Sequence, residues 1–114
     1  MSVFPYTTWA IDFDGYLCKE KHPDIGTPNI ATIEYFKDRK KKGDKLILWT
    51  CRSGESLEQA VEWCKKHGLE FDAVNENLPE WIELYGNDSR KLGADFYCDD
   101  RNFNPWDITT NIHI

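Results

Sequence analysis

The sequence predicts an α/β protein built on one mainly parallel sheet of about five strands, with helices on both faces. Two observations carry this. Short apolar, β-prone runs alternate with segments of helical periodicity in the order β-α-β-α-β-(α)-β-β, and a parallel strand pair needs such a crossover. The unusual polar residues also fall directly behind the apolar runs, where open α/β sheets bind their ligands.

The first strand is expected over residues 6–13 and ends before Gly15. Residues 16–27 form a polar connection containing Pro23 and Gly26. Thr27-Pro28 reads as a helix start, a capping hydroxyl followed by Pro at the first helical position. Ile30, Ile33 and Phe36 then recur at helical spacing. The run "KDRKKKG" suits a helix C-terminus, so it reads as a solvated helix end rather than a binding patch. Residues 45–50, "KLILWT", form the second strand. Ser53-Gly54 opens a helix carrying Leu57, Ala60, Val61 and Cys64 on one face, and Gly68 ends it. Residues 69–74 are the third strand, 79–85 a short helix, 94–98 the fourth strand and 106–110 a fifth.

The 114 residues suit one domain, 1–114. Hydrophobic residues at 40% and aromatic residues at 14% supply a core and argue against disorder. A net charge of −6 disfavours general binding to nucleic acid or to a membrane surface. No apolar run reaches the length of a membrane span, and the N-terminus "MSVFPYTT" lacks the basic start and apolar stretch of a signal peptide. The four Cys have neither C-x-x-C nor zinc-finger spacing, which points to reduced thiols in the cytoplasm.

On an extended strand, residues i and i+2 share a face, so Asp12 and Asp14 in "AIDFDG" can address one centre. Thr50 ends the second strand, and Asp99 and Asp100 end the fourth. Two acidic pairs at one rim repel each other unless a cation lies between them. Hard oxygen donors without a His or Cys cluster indicate Mg²⁺, which keeps waters and takes substrate phosphate as a further ligand. Arg52, Lys91 and Arg101 stand next to these residues and can hold phosphate oxygens. One carboxylate can attack phosphorus while the other gives a proton to the leaving oxygen.

These motifs resemble the haloacid dehalogenase superfamily, most of whose members are phosphatases. The shared pattern is an apolar strand then Asp-x-Asp-Gly, an apolar strand then Thr or Ser, a Lys, and an apolar strand then Asp-Asp. Here it is "AIDFDG", "LILWT", Lys91 and "ADFYCDD", spanning residues 8 to 101. The resemblance implies a three-layer Rossmann-like fold and a Mg²⁺-dependent phosphomonoesterase that works through an aspartyl-phosphate. Asp12 would be the nucleophile and a metal ligand. Asp14 would be the general acid/base and would bind the metal through its carbonyl. Thr50 would hydrogen-bond the phosphoryl group, and Lys91 would neutralise it, with neighbouring Arg90 the alternative. Asp99 or Asp100 would complete the metal site. Arg52 and Arg101 echo elements of polynucleotide 3′-phosphatases and would grip substrate phosphate. Tyr16 replaces the usual Thr or Val, where it would narrow the pocket or stack on substrate.

Residues 16–27 are too few for a cap domain, and one helix and one strand account for most of 51–80. The chain thus resembles the capless type. An open site would admit a sugar phosphate, a nucleotide or a polynucleotide end, with the substrate or a partner copy in a homo-oligomer serving as lid. A receiver-like signalling module and a non-catalytic phosphate or Mg²⁺-binding module are the alternatives. A receiver carries its acceptor Asp on a middle strand and its Thr later, the reverse of the order here. A cysteine phosphatase is excluded, because the positions where its loop Arg would stand hold Asp24, Leu57, Glu70 and Asn104. His22, His67 and His113 have no ligand spacing and read as surface residues, and Trp81, Tyr85 and Trp106 read as packing residues.

Overall fold

The structure, a computed structural model, describes residues 4–102. Its elements are β1 (Thr8–Ile11), α1 (Ile30–Lys41), β2 (Lys45–Leu48), α2 (Gly54–Lys66), β3 (Ala73–Val74), α3 (Pro79–Tyr85) and β4 (Phe96–Cys98). The strands form one sheet in the order β3-β2-β1-β4, with every pairing parallel. The expected α/β class and parallel sheet are present. The described residues give four strands rather than about five, and the fifth expected at 106–110 lies outside the described residues.

The register fixes where the sheet ends. Ile11 stands opposite Leu48 on one side and Cys98 on the other. The three strands therefore run out level, and the residues that follow them leave at one rim. Alternation sorts the side chains between two faces. Ile11, Leu46 and Leu48 join Ile33 and Phe36 of α1 and Ala60 and Cys64 of α2 in one buried cluster. Ala10 and Ile47 join Ala73, Leu78 and Leu92 in a second, with Trp81 of α3 against it. Helices thus cover both faces, with the longer pair on one side.

The strands are shorter than their apolar runs because burial and ladder pairing are different properties. Phe13 and Leu69 are fully buried yet lie outside the strands. Asp72 N donates to Leu46 O at 2.7 Å and Asn75 N to Leu48 O at 2.8 Å, so β3 is bounded within a few residues. The first helix starts later than expected. Pro28 is bridged to Cys18, which keeps the chain extended, and Asn29 takes the cap by accepting from Thr32 N at 3.3 Å. At the other end of α1 the basic run is partly structural. Arg39 Nε donates to Asp44 at 2.7 Å and Lys40 pairs with Asp72 at 3.3 Å. Asp44 also accepts from Trp9 Nε1 at 2.9 Å. Among the described residues no helix is long and apolar enough to cross a membrane.

Candidate active site

Asp12 is the first residue beyond β1. Its N–H still extends the ladder, donating to Cys98 O at 2.9 Å. Its Oδ1 accepts from Phe13 N at 2.8 Å, while Oδ2 meets no donor among the described residues. Phe13 is completely buried and anchors the backbone between the two carboxylates. The chain then turns sharply, with Leu17 N donating to Phe13 O at 3.0 Å and Gly15 N to Cys18 O at 2.8 Å. Gly15 has φ +83, and a Cβ there would lie 2.4 Å from Asp100 Oδ2. The glycine therefore serves the turn and also admits the Asp100 carboxylate against the Asp12–Gly15 segment.

Burial raises the Asp12 carboxyl above its ordinary range, and the charges of Asp100, Asp99 and Asp14 push the same way against the Phe13 hydrogen bond. Asp14 differs. Arg52 grips it through a two-pronged fork, Nε to Oδ2 at 2.9 Å and Nη2 to Oδ1 at 2.8 Å. Nη2 also donates to Asp24 O at 2.8 Å, and Nη1 to Pro23 O at 3.1 Å and Ser56 O at 3.3 Å. A guanidinium has about five N–H donors, and all of them are engaged on a residue only 2% exposed. The expectation that Arg52 binds substrate phosphate is therefore corrected. It holds Asp14, the 22–24 loop and the start of α2 together.

Thr50 is buried beyond the end of β2, and its Oγ1 accepts from Arg52 N at 3.2 Å. Thr50 N donates to Asn75 Oδ1 at 2.8 Å. Asn75 has φ 54, a left-handed conformation that Asn tolerates. It ties the end of β3 to the loop that carries Thr50. Sequence reasoning gave Asn75 no role, although Asn directly after an apolar run is a turn signal.

Asp99 and Asp100 follow β4 as expected. Asp99 Oδ1 accepts from Arg101 N at 2.8 Å, and Asp100 lies against Gly15. The Arg101 side chain has no partner among the described residues. It lines a cleft of about 350 Å³ together with Asp12, Asp14, Thr50 and Arg52. Glu20 and His22 line that cleft too, which the loop's sequence did not reveal. Lys91 is exposed and makes no ion pair among the described residues. Its Nζ lies 5.4 Å from the centroid of the Tyr97 ring. No contact joins Lys91 to Asp12, so the expected orientation of Asp12 by Lys91 is not present. Tyr97 does line a second cavity, of about 230 Å³, that reaches Asp12. Tyr16 lines neither cavity. Its ring lies 6.4 Å from that of Phe36 and packs against the core cluster. Trp81 packs against Gly93 as the packing reading expects, and Trp106 and His113 lie outside the described residues.

Among the described residues, no three His, Cys, Asp or Glu side chains already form a metal-holding group. The donor set nevertheless suits a hydrated divalent ion. Arg52 offsets Asp14, which leaves Asp12, Asp99 and Asp100 as carboxylates with no cationic side chain paired to them among the described residues. Mg²⁺ uses few protein carboxylates and fills its remaining positions with water and substrate oxygen.

No protein-family model matches the chain, and no curated protein matches it. A solved structure of a conserved protein from Bacteroides thetaiotaomicron is similar throughout. It shares 40% identity over 95% of this chain and 89% of its own, with a TM-score of 0.76.

Proposed function

The chain belongs to the same family as that conserved Bacteroides protein, and from its rim geometry we propose that it is a Mg²⁺-dependent phosphomonoesterase of the haloacid dehalogenase type. One observation supports this above the rest. Three parallel strands end level and deliver Asp12, Asp14, Thr50, Asp99 and Asp100 to one rim, beside a cleft that Arg101 lines. The parallel sheet with helices on both faces supports a Rossmann-like, three-layer, capless reading.

Asp12 Oδ2, which meets no donor among the described residues, is the attacking oxygen. As it bonds to phosphorus, the bond from phosphorus to the ester oxygen breaks, and that oxygen takes the proton that Asp14 must first have picked up from solvent on the oxygen released from the Arg52 fork. Water then attacks the phosphorus of the aspartyl-phosphate and gives its proton to Asp14. Inorganic phosphate leaves and Asp12 is restored. The net reaction is monoester plus water to alcohol plus phosphate. Arg52 aligns Asp14 for both proton transfers, which require one Asp14 oxygen to leave the fork. Thr50 and Arg101 bind the phosphoryl oxygens. Lys91, whose Nζ lies over the Tyr97 ring, would approach the phosphoryl group only by moving from that position. Asp12 and Asp100 would hold the Mg²⁺ together with the Asp14 carbonyl, and the ion would offset the negative charge gathered at the site. Four free cysteines fit work in the reducing cytoplasm.

The decisive experiment is a phosphate-release screen over sugar phosphates, nucleotides and phosphorylated oligonucleotides with Mg²⁺. Repeated turnover is expected, silenced by EDTA and by Asp12→Asn, and reduced about 10²–10⁴-fold by Asp14→Asn. The fully engaged Asp14 carboxylate favours a second reading, a phosphate or Mg²⁺-binding module without turnover. Release of no more than one phosphate per chain across the screen would select that reading.

A further inference from the structure

We infer that the cavity beside Asp12 takes an aromatic ring carried on the leaving group of the phosphorylated substrate. This rests on the phosphatase reading and narrows its substrate class. The two cavities share Asp12, Thr50 and Cys51 but differ in their other walls. The larger continues to Asp14, Arg52 and Arg101 and is polar. The smaller continues to Ala10, Trp49, Tyr97 and Cys98, which are apolar or weakly polar, with the Asp99 carboxylate at its margin. A phosphoryl group at Asp12 in the polar cleft leaves its ester substituent an apolar chamber next door.

The chamber follows from the register. Ala10 is the middle residue between Ile47 and Tyr97 in the parallel ladder. Its methyl leaves a low floor between two larger walls. Trp49 and Tyr97 meet at 5.4 Å and 62°, forming a corner rather than a closed stack. Tyr97 is 40% exposed, and its hydroxyl is fixed on Leu92 O, so the ring is held in place. A volume of about 230 Å³ exceeds the roughly 150 Å³ cavity that accepts benzene. Such a corner offers a guest ring one edge-to-face and one offset partner. Lys91 over Tyr97 on one side and Arg101 in the cleft on the other offset part of the negative charge that Asp12 and Asp99 bring to the chamber.

The test compares benzyl phosphate with ethyl phosphate, both esters of simple alcohols, with Mg²⁺. Wild-type kcat/KM is expected to favour benzyl phosphate by about tenfold or more, the scale of one aromatic contact with its buried area. The ratio should fall toward one in Tyr97→Leu, and again in Ala10→Leu, which fills the floor. Calorimetric binding of benzylphosphonate against ethylphosphonate reads the same preference without turnover and covers a variant that folds poorly. A wild-type ratio near one in both assays overturns the inference, as does a ratio that survives Tyr97→Leu in folded protein. Preferential binding of the benzyl compound with no turnover of any ester would keep the chamber and overturn the phosphatase reading. Faster turnover of a nucleoside 5′-monophosphate than of benzyl phosphate would assign the ring to a base.

Discussion

Asp12 and Asp14 are separated by one residue and live in opposite electrostatic settings. Asp12 faces three other carboxylates, whereas Asp14 is clasped by a buried guanidinium. Because burial and like charge raise the Asp12 carboxyl above its unfolded value, its ionised form works against folding. That cost is absent at low pH and fully present once the pH exceeds the raised value. Metal-free Asp12→Asn should therefore melt a few degrees above wild type near neutrality and match it in acid, by calorimetry at both pH values. Arg52 is the converse case. Removing it strands a largely buried carboxylate and three backbone carbonyls, so Arg52→Ala should lose about 3–5 kcal/mol in urea unfolding. Arg52→Lys keeps the charge without the fork. It should lower kcat about 100-fold by misplacing Asp14, with a smaller change in KM. Side-chain identity was legible in the sequence at this scale, but direction was not. An Arg two residues after Thr50 can face solvent or the core, and only the folded 22–24 loop, with its carbonyls at Pro23 and Asp24, shows which.

The turn after β1 and the loop after β2 carry the site, and each depends on a left-handed residue. At Gly15 an added methyl meets both an unfavourable φ and the Asp100 carboxylate. Gly15→Ala should cost about 1–3 kcal/mol, and it should weaken Mg²⁺ binding in a titration by displacing Asp100. A variant that binds Mg²⁺ as tightly as wild type would detach Asp100 from the metal. Periodicity made α1, α2 and the central strands readable, because Ile33, Phe36, Ala60, Cys64, Leu46 and Leu48 do face one cluster, whereas Ile30 of the same pattern and Phe96 of β4 are exposed. The boundaries were less readable. Thr27-Pro28 has the chemistry of a helix start, yet a tertiary bridge from Pro28 to Cys18 keeps it extended and passes the cap to Asn29. Likewise Leu69 reads as strand by its apolarity, but its N–H donates to Cys64 O at 2.9 Å and closes α2 instead.

For the molecule as a whole, Mg²⁺ should act as a folding ligand. Binding to the native state alone stabilises by about 2.7 kcal/mol at one hundred times the dissociation constant. Wild-type melting should rise with Mg²⁺, and the gain should vanish in Asp12→Asn. The acid limb of kcat/KM should also move to lower pH as Mg²⁺ increases, because the cation favours ionised Asp12. A limb that stays put across a Mg²⁺ series would mean the ion does not touch that carboxylate. The gathering of Asp12, Thr50 and Asp99–Asp100 at one rim was legible because parallel strands must all point one way. The missing Lys91 contact was not, since the 86–95 connection sets its place and has no periodic pattern to read.

β1 lies inside the sheet, flanked by a strand nearly forty residues on and by another nearly ninety residues on. The latter supplies Asp99 and Asp100, the former Thr50. On the ribosome, then, the first strand to emerge waits on one side for the last. A nascent chain halted before Phe96 has Asp12, Asp14 and Thr50 but no acidic counterpart from β4. The candidate site is therefore complete only once this most distant of the described pairings has closed.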